Sequence, residues 1–199
     1  RLALRSLEPL PTLAHPAPLP PRVAAALWAA EARSAPGSIP QLYPWNVHRN
    51  FSEDRAPLIF ASQVARDVMS TALKRGQVRG MLQWHLKWFA VTAWVTRNLT
   101  TDEILATYAR SLWMGRLGRS LAETARRLYG KELGELDDVE LALLVGIIKN
   151  PDRYDPLRNP RRALERRNVV LQRFVEAGCL PASALPAAES VVFFPREFG

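Results

Sequence analysis

Asp137-Asp-Val-Glu140-Leu-Ala-Leu-Leu-Val-Gly-Ile-Ile-Lys-Asn150-Pro-Asp-Arg-Tyr-Asp-Pro-Leu-Arg-Asn-Pro160 is the stretch on which the fold turns. From Val139 to Lys149 it is apolar with scarcely a break, and a helix without a polar face has to be surrounded by protein. Asp137 stands where a cap for that helix belongs. Asn159-Pro160 then reads as an N-cap followed by proline at the first helical position. The helix it opens runs to about Ala177, with Leu164, Leu171, Phe174 and Val175 on one side, and Gly178 stops it. Working toward the N-terminus, Ser120-Leu-Ala-Glu123 and Thr100-Thr-Asp-Glu103 both have capping-box spacing, and each predicts a helix start. Gly130 sits where a helix C-terminus is closed.

The upstream half is punctuated less sharply. Ile59 to Lys74 carries Phe60, Val64, Val68 and Ala72 at the spacing of one helical stripe, with Gly76 as its stop. Met81 to Val95 is a second long helix, apolar nearly all round and interrupted only by Gln83, His85, Lys87 and Thr92. Such a helix is either central to a core or pressed against something greasy. An Ala-rich helix is predicted over Val23 to Arg33, and Ser34 to Pro57, with four prolines and no period, reads as a long loop. Residues 1–21 hold six of the sixteen prolines and form an extended lead, which leaves 22–199 as one helical domain. Only Val191 to Phe194 has the look of a strand. The class is all-α, without repeats.

Composition narrows the possible partners. Hydrophobic residues at 48% and charged residues at 23% are ordinary for a globular chain of 199 residues. A net charge of +8 and a pI near 10.4 favour an anionic partner, whether nucleic acid, an anionic membrane surface or a phosphate-bearing substrate. Cys179 is the single cysteine, so an internal disulfide is impossible. His15 and His48 have no partners at ligand spacing, and neither a metal site nor a cofactor is expected. No apolar run is long enough to span a bilayer. Arg1 in place of a methionine leads us to expect an anchor or signal upstream of this chain.

Four segments together carry a family resemblance: Leu99-Thr-Thr-Asp-Glu-Ile-Leu-Ala-Thr-Tyr108, Arg126-Arg-Leu-Tyr-Gly-Lys-Glu-Leu133, the stretch from Glu140 to Pro160, and Arg166-Arg-Asn-Val-Val-Leu-Gln-Arg-Phe174. Their succession resembles the C-terminal half of the peptidoglycan glycosyltransferase domain, glycosyltransferase family 51, of bifunctional penicillin-binding proteins. The resemblance implies a partly lysozyme-like all-α fold. It also implies a reaction in which a carboxylate takes a proton from a sugar hydroxyl of lipid II, which then displaces a lipid pyrophosphate.

The resemblance fades where that chemistry belongs. In Ala29-Ala-Glu31-Ala32, Glu31 takes the place of the base, with alanine where the family has aspartate. Glu53-Asp54 matches the motif's opening more literally but lies close to the next motif. There, Gln63 matches one of the family's paired glutamines and Arg66 keeps a positive charge, so both are candidates for phosphate or sugar binding. Counted back from Leu99 without gaps, the family's Arg-Lys-x-x-Glu falls on Trp84-His85-Leu86-Lys87-Trp88, so the second catalytic carboxylate becomes Trp88. The family's Glu-x-Tyr-Leu-Asn becomes Ala106-Thr-Tyr108-Ala-Arg110, keeping only the packing tyrosine and placing Arg110 in a cleft position.

Each assignment has a plainer counterpart. Glu31 is a base or a solvated residue near a helix end, and Gln63 and Arg66 are ligands or members of a polar face. His85 is expected at a core boundary rather than as a base. Trp84, Trp88 and Trp94 are expected in the core, with a membrane-facing or sugar-stacking surface as the alternative. Arg158, Arg161, Arg162, Arg166 and Arg167 are expected as a solvated helix face.

Polar active-site positions replaced while apolar framework positions hold is the pattern of a fold kept without its catalysis. The leading expectation is a catalytically inactive module of the bacterial cell envelope, on the extracytoplasmic side. It would contact peptidoglycan, its lipid-linked precursor or an envelope protein, with possible membrane-surface contact. One alternative is an active glycosyltransferase or glycan-cleaving enzyme using Glu31. A basic helical nucleic-acid binder is the other, disfavoured because charge alone does not account for the order of helices.

Overall fold

A computed structural model describes residues 16–43, 45–46, 57–74 and 80–191, side chains at 71–74 excepted. Among these residues it is helical and contains no strand. Eight helices follow one another: α1 (Pro21–Leu27), α2 (Leu58–Lys74), α3 (Met81–Asn98), α4 (Thr101–Ser111), α5 (Leu121–Tyr129), α6 (Asp138–Ile147), α7 (Pro160–Glu176) and α8 (Leu185–Ser190). Val191 has extended backbone (φ −64°, ψ 124°), and the rest of the expected strand, 192–194, lies outside the described residues, as do Gly76, Glu53 and Asp54. None of the described helices is long and apolar enough to cross a membrane.

The contacts gather the chain into two compact units. One comprises Ser38–Tyr108 with the described part of Arg1–Pro18, the other Leu19–Gly37 with Ala109–Gly199.

In the first unit α2 and α3 pack along one another, with Phe60, Val64, Met69, Val91 and Val95 buried between and around them. Tyr108 is buried edge-on against Phe60, ring centroids 5.3 Å apart, which is the packing role expected of it. The start of the expected 34–57 loop is held by threonines. Thr101 Oγ1 accepts from the Ile39 amide and Thr96 Oγ1 from the Leu42 amide, both at 3.1 Å. These bonds satisfy backbone that has no helical partner, and they let Ile39 and Leu42 enter the core. The α4 capping box is complete: the Thr100 amide donates to Glu103 Oε2 at 2.8 Å, and the Glu103 amide to Thr100 Oγ1 at 3.3 Å. Trp84, Trp88 and Trp94 are half-buried rather than in the core, because α3 has only one helix of its size packed against it.

The second unit is organised around α6, whose residues from Leu141 to Ile147 are all buried. Asp137 and Glu140 cap it reciprocally. α7 lies along it, and Gly146 makes the approach close: a Cβ there would sit 3.3 Å from Arg166 Cγ. Two local expectations are corrected. Ser120 caps α5, but Glu123 reaches past it to the Arg119 amide at 2.8 Å, so the box is not reciprocal. Asn159 precedes Pro160 at the N-cap position but its side chain makes no cap bond to α7; its amide donates instead to the Asp152 carbonyl at 3.1 Å.

Arg167 is the larger correction. It is only 2% exposed, and its guanidinium donates to the carbonyls of Glu189 and Val191 and to Asn168 Oδ1. It is a core residue that ties the end of α8 and the residue after it to α7. Arg158, Arg161 and Arg162 are exposed as expected, and Arg166 is half-buried.

Candidate functional site

In the second unit, α1 widens at its end into a single π-helical turn, Trp28–Ala32, which carries Glu31. Such turns are uncommon and recur at functional sites. The turn is closed by Arg33 at φ 56° and ψ 37°, the one described non-glycine residue with left-handed backbone. That conformation costs a residue with a Cβ about 1 kcal/mol. Trp28, Ala29 and Ala30 face the core, and the Arg173 guanidinium on α7 donates to the Ala30 carbonyl. The neighbouring peptide is thus bonded at the point where the helix changes its repeat.

Glu31 itself is half-buried. Burial raises the pKa of its carboxyl above the ordinary carboxylate value, opposed by the positive charges of Arg166, Lys149 and Arg173, in that order. Burial likewise lowers the Arg173 pKa, with Arg166 and Arg33 adding to the lowering, while Glu31 and Glu176 oppose it. A carboxylate drawn out of water and acted on by several cations can serve as a base, or can share their charge with a second anion.

Lys149, Arg166 and Arg173 were not singled out with Glu31 from the sequence. One signal was available: Arg166 and Arg173 are seven residues apart, two helical turns, and so share a face of α7.

The first unit carries the other predicted positions. Gln63 is half-buried and Arg66 exposed, both on α2. On α3, Trp88 is half-buried, and its indole Nε1 donates to the Ser62 carbonyl of α2 at 3.0 Å. Its ring stacks on Trp84, centroids 5.9 Å apart and 12° from parallel. His85 is exposed and meets Trp84 edge-on. No carboxylate stands anywhere on α3. Among the described residues of this unit the carboxylates are Asp67, Asp102 and Glu103. Glu103 is engaged in capping α4, and Asp67 and Asp102 are exposed. Arg110, on the last turn of α4, falls in the second unit and is exposed. The structure therefore gathers Gln63, Arg66 and Trp88 in one unit, and Glu31 and Arg110 in the other.

No group of three or more metal-ligating side chains occurs among the described residues. A cavity of about 240 Å³ lies in the second unit between α1, α6 and α7, beside the Arg22–Asp138 ion pair at 2.6 Å. Its Cys179 thiol is pushed up in pKa by burial, which keeps it a poor nucleophile.

The transglycosylase family model matches residues 60–175. Penicillin-binding protein 1A of Pseudomonas aeruginosa is 37% identical over 94 residues, which are 47% of this chain and 11% of that protein. Penicillin-binding protein 1B of Haemophilus influenzae is 40% identical over 79 residues, 38% of this chain and 10% of its own length. The match thus spans about a tenth of these relatives. A crystal structure of Penicillin-binding protein 1A from Haemophilus influenzae aligns at 32% identity with a TM-score of 0.46, covering 49% of this chain and 15% of that one. With more than half of its length matched by the family model, the chain belongs to the transglycosylase family.

Proposed function

We propose that this transglycosylase domain binds peptidoglycan or its lipid-linked precursor at the bacterial cell envelope without polymerising it. The observation that carries this reading is Trp88. Counted without gaps from Leu99, the register of the family's second catalytic carboxylate falls on an indole, which is bonded to the Ser62 carbonyl on a helix with no acid along it. An indole N–H donates only, so it can neither accept a proton nor hold a cation through charge. The surroundings of Glu31 support ligand binding, since Lys149, Arg166 and Arg173 supply more positive charge than one carboxylate neutralises. A phosphate-bearing lipid precursor is the kind of anion that excess suits.

The test is exposure of the purified chain to lipid II in micelles, reading retention and polymer together. Retention that falls with rising salt, with no polymer, is expected. Polymer that disappears in Glu31→Gln overturns the reading.

A second reading has its own observation, the half-burial of Glu31 on the π-helical turn, which raises the pKa of its carboxyl. A carboxyl that stays protonated above the usual range can act as the acid in glycan cleavage. Release of muropeptides from isolated cell walls by the wild type, and not by Glu31→Gln, would establish it. Intact walls after prolonged incubation dispose of it.

A further inference from the structure

Trp45 is 80% exposed, more than any other large hydrophobic side chain among the described residues. It is not loose. One face stacks on Tyr43, ring centroids 4.7 Å apart and the planes 6° from parallel. Tyr43 is in turn fixed from several directions. Its hydroxyl donates to Gln41 Oε1 and its amide to Asn46 Oδ1, both at 2.8 Å, while the Asn46 side-chain amide donates to the Gln41 carbonyl at 2.9 Å. The Arg97 guanidinium lies 5.6 Å from the Tyr43 ring centroid and is anchored by the Ala93 carbonyl. The segment itself is held to α3 where the Leu42 amide donates to Thr96 Oγ1. Turn, amide bonds and cation together present an indole whose free face needs no ordering before it binds something flat.

The surround indicates what that something is. A contiguous apolar patch marks a membrane or protein contact. The first unit has one elsewhere, where Met81, Leu82 and Leu86 are all more than half exposed on the first turns of α3. Trp45 is different: its recorded neighbour is the single Tyr43 ring, which Gln41, Asn46 and Arg97 hold in place. A pyranose ring matches that pattern. Its C–H face is apolar and faintly positive, suited to one electron-rich indole, while its hydroxyl and acetamido edge stays in water.

We propose that Trp45, backed by Tyr43, is a stacking platform for one pyranose ring of an N-acetylhexosamine strand. The choice of N-acetylhexosamine rests on the glycan-binding reading above, whereas the stacking rests on the geometry of Tyr43, Trp45 and Arg97. The platform lies apart from Glu31 in the chain and uses none of the family motif positions.

The test titrates the full chain with a β-1,4-linked N-acetylglucosamine tetrasaccharide, following the indole N–H resonances by NMR. A saturable shift of the Trp45 resonance is expected. Affinity should fall at least tenfold in Trp45→Ala, fall less in Trp45→Phe, and stay unchanged in Trp113→Ala, which removes another exposed indole. Far-UV circular dichroism of each variant confirms folding, and the exposure of Trp45 makes folding defects easy to separate from binding. Unchanged affinity in Trp45→Ala, or no binding by the wild type, overturns the platform. Pull-down of wild type and Trp45→Ala with isolated sacculi runs alongside. Sacculus binding that ignores Trp45 defeats the platform and leaves the glycan-binding reading standing. Lipid II polymerisation with a Trp45-dependent tetrasaccharide shift does the reverse.

Discussion

Glu31 and Trp88 belong to two regions that have treated their chemistry in opposite ways. Around Glu31 the second unit keeps charge: a half-buried carboxyl on a π-helical turn, Lys149, Arg166 and Arg173 acting on it, and an arginine bond to the peptide beside it. Around Trp88 the first unit has aromatic packing, with an indole bonded to Ser62, a stacked Trp84 and no acid on the helix. On the proposed reading, the contrast teaches that a framework can outlast its reaction unevenly. A cation-rich carboxylate retains a use whenever an anion must be held, whereas a second carboxylate kept for catalysis alone has no use once turnover is gone. Its site is then free to be filled by whatever packs best.

Four substitutions break or sharpen that contrast. Leu144→Ala empties the centre of α6, the helix around which the cation-rich unit is built, and should destabilise by about 2–5 kcal/mol in urea unfolding. Arg167→Ala strands the Glu189 and Val191 carbonyls and should cost about 1–3 kcal/mol by the same measurement. Arg167→Lys should recover little of it, because an ammonium cannot reproduce the guanidinium fork. Trp88→Phe keeps the stack on Trp84 but removes the bond to Ser62, a loss of about 1 kcal/mol in thermal unfolding, and should leave ligand retention unchanged.

Glu31→Gln has the smallest effect and an unusual sign. Because folding raises the Glu31 pKa, the folded protein holds a proton that the unfolded chain has lost. In that window stability falls as pH rises from the ordinary carboxylate value through the raised one. The glutamine variant lacks this fall, so its melting temperature should match or exceed the wild type's at neutral pH and lose the advantage in acid. A variant that melts lower at neutral pH would show that the cations outweigh burial at this site.

The sequence was most legible where structure is decided by neighbours along the chain. Thr100 and Glu103 are three residues apart, and their spacing predicts the capping box that is present, as the place of Asp137 predicts its cap on α6. The same spacing at Ser120 and Glu123 predicts a box that Glu123 leaves open by reaching Arg119. The uniform apolarity from Val139 to Lys149 likewise allows only a buried helix. Legibility failed where a distant partner decides. Arg167 reads as solvated because its partners lie 22 and 24 residues away, at carbonyls that no composition marks. Asn159 was claimed by Asp152 rather than by its own helix. The π-helical turn beneath Glu31 has no local code either, since Arg173 reaches it from 143 residues along the chain. At the candidate site the seven-residue spacing of Arg166 and Arg173 marks a shared face of α7, but nothing local marks that this face acts on Glu31.

The most direct measurement is gel separation of products from fluorescently labelled lipid II, incubated with the purified chain, with Glu31→Gln, and with an active family member as positive control. The account predicts that the chain leaves the label at the position of unreacted lipid II, as the glutamine variant does. A ladder of glycan strands from the wild type that vanishes in Glu31→Gln would contradict it.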